Sequence, residues 1–163
     1  MPNGSLGTLK LGNNVLCGVD DEGDGAYDVS GILALAEALK VPNGSLGTLD
    51  LRSNAIGSEG AAALAEALKV PNGSLGTLRL FDNCIGSDGA VALAEALRLP
   101  NGSLGTLDLG YNALCGLDEN PGYGSLLEDY NPAGILALAE ALKVPNGSLG
   151  TLDLSGEHQI WNL

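Results

Sequence analysis

The chain has 163 residues, of which 45% are hydrophobic, and its 20 acidic residues outnumber seven Lys and Arg to give a formal charge of −13. This length and apolar content predict one domain with a buried core. The charge argues against nucleic acid or an anionic membrane as the partner, because both are bound through Lys and Arg.

The sequence has neither an apolar run long enough to span a bilayer nor an N-terminal segment typical of a secretory signal. These features predict a cytoplasmic protein with no membrane insertion. Residence in an organelle or in a larger complex remains an alternative.

One heptapeptide, Asn-Gly-Ser-Leu-Gly-Thr-Leu, recurs along the chain. Its Asn occupies five positions, which are Asn3, Asn43, Asn72, Asn101 and Asn146. The successive spacings are 40, 29, 29 and 45 residues, so a 29-residue unit repeats and two of the units carry 11 and 16 additional residues. Such periods are typical of solenoids, in which each unit is one supersecondary motif.

Each unit begins with a strand pattern and ends with a helix pattern. Residues 48–52 alternate polar and apolar side chains, as a strand with one buried face does. Further along the unit, Leu64, Ala65 and Leu68 share one face at helical spacing. The repeat therefore predicts five strands and four helices.

Polar residues at the helix end support the same prediction. Glu66 and Lys69 are three residues apart and can form an ion pair on the exposed face. Val70-Pro71 ends the helix, because proline disfavours helical dihedral angles in the residue before it. Asn72-Gly73 then supplies the turn into the next strand.

The apolar positions follow the pattern L-x-x-L-x-L-x-x-N-x-I in the two standard units. They are Leu46, Leu49, Leu51, Asn54 and Ile56, then Leu75, Leu78, Leu80, Asn83 and Ile85. This pattern resembles the leucine-rich repeat. Together with the 29-residue period and the helical segment 60–70, it is similar to the ribonuclease-inhibitor-like class, which also forms the repeat domains of NLR-type immune receptors.

The resemblance covers nearly the whole chain and implies an α/β leucine-rich-repeat solenoid. This horseshoe segment would carry parallel strands on its concave face and helices on its convex face. The physics agrees, since one strand and one helix cannot bury their apolar faces without a neighbouring unit. We therefore expect a single domain, 1–163, with units that start at residues 3, 43, 72, 101 and 146.

One asparagine follows each of the first four strands, and the resemblance implies that these residues bind backbone groups of the turns as a ladder. They are Asn14, Asn54, Asn83 and Asn112. In the last unit this position is Glu157, and residues 157–163 are predicted to form an irregular lid.

At the other end no polar unit precedes Leu6, Leu9 and Leu11. The first strand is therefore expected to be an open edge that contacts a partner or continues into a longer protein.

The concave face is the first candidate binding surface. One column across it reads Lys10, Asp50, Arg79, Asp108, Asp153. Its charges can pair across strands about 4.8 Å apart, so it is interpreted chiefly as a self-neutralising ladder. The neighbouring columns place Arg52, Phe81 and Tyr111 together, and such residues are enriched at interface hot spots. The candidate partner-binding residues are Arg52, Arg79, Phe81, Asp82, Asp108 and Tyr111, with incidental exposure of the aromatic rings as the alternative.

The two inserts, at about 19–30 and 117–132, are the second candidate. Both follow Leu-Cys-Gly at the same repeat position, which predicts acidic loops along one rim. They contain no base and nine of the 20 acidic residues. Their candidate residues are Asp20, Asp21, Glu22, Asp24, Asp28, Asp118, Glu119, Tyr123, Glu128 and Asp129. An acidic rim would steer a basic partner surface, whereas the alternative is two tolerated, solvated insertions.

The first insert partly matches a calcium loop, with oxygen ligands at Asp20, Glu22, Asp24 and Asp28. The match fails at the twelfth position, where Gly31 replaces the required Glu. It is therefore only a weak candidate, and no metal site is otherwise predicted.

Cysteine and histidine content gives no catalytic signal. Cys17, Cys84 and Cys115 have neither disulfide nor zinc spacing and are predicted to be buried thiols. His158 is the only histidine and is predicted to lie in the lid. No nucleophile or phosphate loop accompanies it, so we expect neither an enzyme nor a cofactor.

These patterns predict a non-catalytic module that binds another protein, whose identity the residues do not specify and whose contact surface is expected to be basic. One alternative is a structural accessory subunit that docks, or associates with itself, through the N-terminal strand. Another is a weak calcium-binding loop domain.

Overall fold

The computed structural model describes residues 6–18, 25–41, 44–71, 73–100, 102–115, 131–145 and 147–156. Within them strands and helices alternate. In chain order they are β1 (Thr8–Lys10), α1 (Ser30–Leu39), β2 (Thr48–Asp50), α2 (Gly57–Leu68), β3 (Thr77–Arg79), α3 (Gly86–Leu97), β4 (Thr106–Asp108), α4 (Ala133–Ala141) and β5 (Thr151–Asp153). The described part of the chain therefore has the five strands and four helices that the repeat predicts.

All five strands lie in one parallel sheet in the order of the sequence. The same repeat position pairs at every step, so Leu49 of β2 lies beside Leu9 of β1 and Leu78 of β3. The helices pack on one another in the same order. The predicted α/β leucine-rich-repeat solenoid is confirmed.

The core consists of strand leucines that face helix leucines and alanines. In the middle units the leucines of the strands and the isoleucines of the turns are fully buried; these are Leu49, Leu51, Ile56, Leu78, Leu80 and Ile85. The helices add Leu64 and Leu93, each at most 1% exposed. No described helix is long and apolar enough to cross a membrane.

The first unit is less buried than the middle ones. Leu6 is 56% exposed, and Leu9 and Leu11 are only partly buried, whereas Leu49 and Leu51 at the equivalent positions are inaccessible to solvent. Among the described residues β1 pairs with β2 alone. One long edge of β1 is therefore open there, as the sequence predicts.

The predicted asparagine ladder is present, and it joins neighbouring units. The Asn54 amide nitrogen donates hydrogen bonds to the carbonyls of Leu11 and Leu51, 2.9 Å away in both cases. Its side-chain oxygen accepts from the backbone amides of Asn14 and Leu16 in the preceding unit. One buried side chain therefore satisfies backbone groups of two turns.

A second ladder, which the sequence analysis did not predict, runs along the serines of the recurring heptapeptide. The Ser74 hydroxyl donates to the carbonyl oxygen of Leu46 in the preceding unit at 2.9 Å, and Ser103 does the same to Leu75. Ser45 and Ser148 make the equivalent bonds. Each serine thus links the segment before its strand to the segment before the preceding strand.

The predicted burial of the cysteines is right for Cys17 and wrong for the other two. Cys17 is fully buried, and this burial raises the pKa of its thiol. Cys84 and Cys115 are half-buried.

A glycine near the start of each helix has a different packing role in different units. A Cβ atom on Gly89 would lie 2.4 Å from the Ile85 side chain and 3.1 Å from that of Ala61. On Gly31 it would meet only the Leu16 carbonyl oxygen, at 3.9 Å. The middle helices therefore need glycine for close packing, and α1 does not.

We expect Gly89→Ala to lower the free energy of unfolding by about 1–3 kcal/mol, because overpacking outweighs the better helix propensity of alanine. The matched change Gly31→Ala should raise it by about 0.5–1 kcal/mol. Urea denaturation of both variants checks this pair. Equal effects of the two substitutions would contradict the packing described here.

Candidate functional site: the strand face

The solvent side of the sheet presents three in-register columns of side chains, which we call the strand face. They are Lys10, Asp50, Arg79, Asp108 and Asp153; then Gly12, Arg52, Phe81, Gly110 and Ser155; then Asn13, Ser53, Asp82, Tyr111 and Gly156. All six candidate partner-binding residues lie in these columns.

Phe81 and Tyr111, from neighbouring units, form an aromatic pair with ring centroids 5.0 Å apart and an interplanar angle of 46°. Tyr111 is 45% exposed and Phe81 is partly buried. A tilted pair at this distance has favourable ring geometry. The structure therefore brings together the two rings that the sequence analysis placed side by side.

Two glycines make room for these rings. A Cβ atom on Gly110 would lie 3.0 Å from the Phe81 ring, and one on Gly156 would lie 1.9 Å from the Tyr111 ring. Each ring thus extends over the backbone of the next unit, where a larger residue would displace it. The backbone of the next unit therefore supports both rings, although the pair faces solvent.

Backbone conformation also orients the third column. Four of its residues, Asn13, Ser53, Asp82 and Tyr111, have φ between 51° and 59°, the left-handed region that non-glycine residues seldom adopt. The ladder asparagines that follow them hold this conformation through their hydrogen bonds to the turns. The same interactions that join the units therefore aim Tyr111 and Asp82 outward.

A buried carboxylate lies at the centre of the charged part of the face. Asp50 is 2% exposed, and its oxygens accept hydrogen bonds from Nε and Nη2 of Arg52 at 2.9 and 2.8 Å. Arg79 Nη1 is 3.8 Å from the same carboxylate. The bonds from Arg52 are the main cause that lowers the pKa of Asp50.

The predicted pairing of charges across the first column is confirmed only for Asp50 and Arg79. The register places Lys10 beside Asp50 and Arg79 beside Asp108, but among the described residues neither pair lies within ion-pair distance. Asp108 and Asp153 instead accept from the backbone amides of Gly110 and Ser155, two residues after the end of their own strands. These local bonds orient both carboxylates within their own units.

The low pKa of Asp50 predicts a stability that depends on pH. Its contribution is present above the unfolded-state pKa of about 3.9 and is lost as the pH falls through the lower folded-state pKa. We expect Asp50→Asn to cost about 1 kcal/mol at pH 7, a value that allows for the half-exposed arginines, and to flatten the acid limb of the stability curve.

Chemical denaturation between pH 7 and pH 3 measures this effect. The control is Asp108→Asn, at the same repeat position, which we expect to change the stability at pH 7 by less than about 0.5 kcal/mol. An acid limb that is unchanged in Asp50→Asn would show that the Asp50 cluster does not contribute.

The two inserts close in the same way where they rejoin the repeat. The backbone amide of Asp28 donates to the Cys17 carbonyl oxygen at 2.9 Å, and that of Asn131 donates to the Cys115 carbonyl oxygen at 2.8 Å. Each closing residue then accepts, through its side chain, from the amide two residues ahead. The repeat is interrupted at equivalent positions in both units.

Tyr27 attaches the end of the first insert to the second unit, a contact that the sequence analysis missed. Its hydroxyl donates to the Ile56 carbonyl oxygen at 2.7 Å, and its ring lies where a side chain on Gly57 would otherwise stand. The repeat pattern gives no signal for this contact, since the residue one 29-residue period after Tyr27 is Ile56 and not Gly57.

Most of the predicted rim residues and part of the calcium candidate lie outside the described residues. These are Asp20, Asp21, Glu22, Asp24, Asp118, Glu119, Tyr123, Glu128 and Asp129, together with the lid residues 157–163. Asp28 is described, and its carboxylate accepts from the Ser30 amide. In the ranges that the structure describes, no group of three or more His, Cys, Asp or Glu is arranged to hold a metal ion.

Repeated strand and helix units in a single parallel sheet define the chain as an α/β repeat protein. A family model described as Leucine Rich repeat matches residues 43–65 and 72–94, the two standard units. These two units are therefore leucine-rich repeats by sequence, and the fold of the described residues is that of a leucine-rich-repeat solenoid. No curated protein matches it. Leucine-rich repeats generally mediate protein–protein interactions and are typically non-catalytic.

Proposed function

We propose that this chain is a non-catalytic interaction module that binds another protein through the strand face. The observation that carries the proposal is the aromatic pair of Phe81 and Tyr111, whose rings are 5.0 Å apart, on the same face as Arg52 of the preceding unit. Tyr and Arg are among the residues that contribute most to binding when a partner desolvates them. A side chain that is already held in place loses little conformational entropy on binding.

The charges of the face and of the inserts support a partner with a basic surface. Asp82 and Asp153 are exposed, and the inserts add nine acidic residues without a base. Opposite charge on a partner would raise the rate of association and select against acidic competitors. The backbone hydrogen bonds to the carbonyl oxygens of Cys17 and Cys115 attach the ends of both inserts to the repeat units.

The experiment compares proteins captured from a cell extract by the wild-type chain and by the triple variant R52A/F81A/Y111A. We expect a specific partner to lose more than about 30-fold in affinity, because one hot-spot truncation alone costs about 2 kcal/mol or more. Mass spectrometry identifies the captured proteins, and titration with the purified partner gives the affinity.

A matched control removes two exposed leucines and one cation from the helix side. It is L136A/L142A/K143A, at positions where Leu136 and Leu142 are 61% and 58% exposed. This variant should keep the partner. If the two triple variants retained the same proteins at the same affinity, the strand face would not be the binding surface.

A further inference from the structure

The seven cations of the chain are divided between two places. Four of them follow the helices, at positions 40, 69, 98 and 143, and three of these four form ion pairs with the Glu three residues before them. The other three, Lys10, Arg52 and Arg79, lie on the strand face, in the units of β1, β2 and β3. The strand face therefore has a cationic part, although the whole chain carries a charge of −13.

The two arginines of this cationic part cover the carboxylate of Asp50. Asp50 is 2% exposed, whereas the side chains of Arg52 and Arg79 are 48% and 42% exposed. Two guanidinium groups thus converge on one buried carboxylate. One positive charge of the cluster remains uncompensated on its solvent side.

Asp50 also orients Arg52. Three aspartates at this repeat position accept from the backbone amide two residues ahead, and they are Asp50, Asp108 and Asp153. The residue that supplies this amide is Arg52 in the second unit, but glycine or serine in the other two. Asp50 therefore also accepts from Nε and Nη2 of Arg52, and these bonds hold the guanidinium group in one orientation.

Both guanidinium groups keep N–H donors for a further anion. Arg52 uses only two of its five side-chain N–H groups in the bonds to Asp50. Arg79 Nη1 is 3.8 Å from the same carboxylate, and this is the one polar side-chain contact that Arg79 makes within the described ranges. The planar fork of an arginine matches a carboxylate in bidentate geometry. The free donors of the two arginines can therefore receive a carboxylate from outside.

We infer that Arg52 and Arg79 together bind the side-chain carboxylate of an Asp or Glu in the partner protein. The inference rests on the proposed function, since it assigns a ligand to part of the same surface. One carboxylate carries the charge that the arginine cluster leaves uncompensated. Phe81 lies in register with Arg52 in the next unit, so an apolar residue beside the acidic one would contact the aromatic pair.

The other half of the face selects against larger polyanions. Asp82, Asp108 and Asp153 lie in the units of β3, β4 and β5. They are within about 15 Å of the arginines, because neighbouring parallel strands are about 4.8 Å apart. A phosphate chain would be repelled there, whereas a protein can present acidic and basic side chains side by side. The partner that fits is acidic opposite β2 and β3 and basic opposite β4 and β5.

A library of short linear peptides displayed on phage tests the inference on the full chain at physiological salt. Wild-type, R79Q and R98Q chains are used for selection in parallel. R79Q leaves the hydrogen bonds of Arg52 to Asp50 in place, and R98Q removes an exposed arginine after α3 as the matched control. Wild type and R98Q should enrich peptides that combine Asp or Glu with an apolar residue. These peptides should bind R79Q at least about 10-fold more weakly, because hydrogen bonds between charged groups are lost.

The arginine Nε–H signals of the isotope-labelled wild-type chain locate the contact without any substitution. The sequence has three arginines, so the spectrum contains three such signals. A selected acidic peptide should shift the signals of Arg52 and Arg79 and leave that of Arg98 unchanged. The same peptide with Gln or Asn in place of its acidic residue should bind at least about 10-fold more weakly.

Three results overturn the inference alone. They are a wild-type selection that enriches no acidic peptide, an acidic peptide that binds R79Q as tightly as wild type, and Arg52 and Arg79 signals that the peptide does not shift. Signals that shift with protein concentration alone would assign the site to a second copy, and stronger binding of inorganic phosphate would assign it to a phosphate group; both overturn the inference. The proposed function fails separately, if the selected peptides bind R52A/F81A/Y111A as tightly as wild type.

Discussion

Replacement of Asn83 by Ala is expected to lower the free energy of unfolding by about 3 kcal/mol or more. The side chain is fully buried in the turn between β3 and α3. Its amide nitrogen donates to the carbonyls of Leu51, Leu80 and Phe81, and its oxygen accepts from the amides of Asn54 and Ile56. Ala leaves these buried backbone groups without their partner, at about 1–3 kcal/mol for each unsatisfied group.

The matched control for Asn83 is Asn14→Ala, at the same repeat position in the first unit. Asn14 is exposed, and its amide nitrogen donates to the Gly12 carbonyl oxygen within its own turn. Urea denaturation should show a loss of less than about 1 kcal/mol for this variant. Losses of the same size at both positions would mean that the ladder does not hold units together.

Leu78→Ala is expected to cost about 2–5 kcal/mol, the second large effect. Leu78 lies on β3 and is fully buried between Leu49 and Leu107 of the adjacent strands. Truncation removes its apolar contacts and leaves a cavity that the packed neighbouring units cannot fill. Thermal and urea unfolding both measure the loss.

Leu9→Ala makes the same chemical change on β1, where the leucine is only partly buried. We expect the loss of unfolding free energy to be at most about half of that for Leu78→Ala. The reason is that folding removes less apolar surface from water at Leu9 than at Leu78. This comparison tests whether burial comes from the neighbouring units. Equal losses for Leu9 and Leu78 would indicate that each unit buries its own leucine.

The fold could be predicted from the sequence because the repeat presents the same local pattern many times. The leucines at positions 46, 49 and 51 recur at 75, 78 and 80, and this period alone requires stacked units. The ladder of asparagines also followed, because a buried turn needs partners for its backbone.

The hydrogen-bond and ion-pair partners of the charged side chains in the site could not be predicted in the same way. The repeat register shows which residues lie side by side on the sheet. It does not show which of its neighbours a flexible charged side chain bonds to. Arg52 binds Asp50 in its own unit, and the carboxylate of Asp108 accepts from the amide of Gly110, so cross-strand pairing is largely absent from the described column. Hydrogen bonds within a unit, to a side chain or to the backbone, therefore prevail over the in-register pair.

Two further features depend on contacts between units that no single unit reveals. Tyr111 and Asp82 adopt positive φ, which the sequence of a non-glycine residue does not suggest. Tyr27 reaches from the first insert to the turn of the second unit. The positive φ values and the Tyr27 contact can be recognised only in a structure that contains adjacent units.

The central claim is that the units lie in register and so bring Phe81 and Tyr111 together on the strand face. Nuclear Overhauser contacts in the labelled full chain test it most directly, since Phe81 is the only phenylalanine and its ring signals are unambiguous. The structure predicts contacts between the Phe81 and Tyr111 rings, and between the methyl groups of Leu49 and Leu78. A Phe81 ring in contact with a different tyrosine, or Leu49 methyl groups without contact to Leu78, would contradict it.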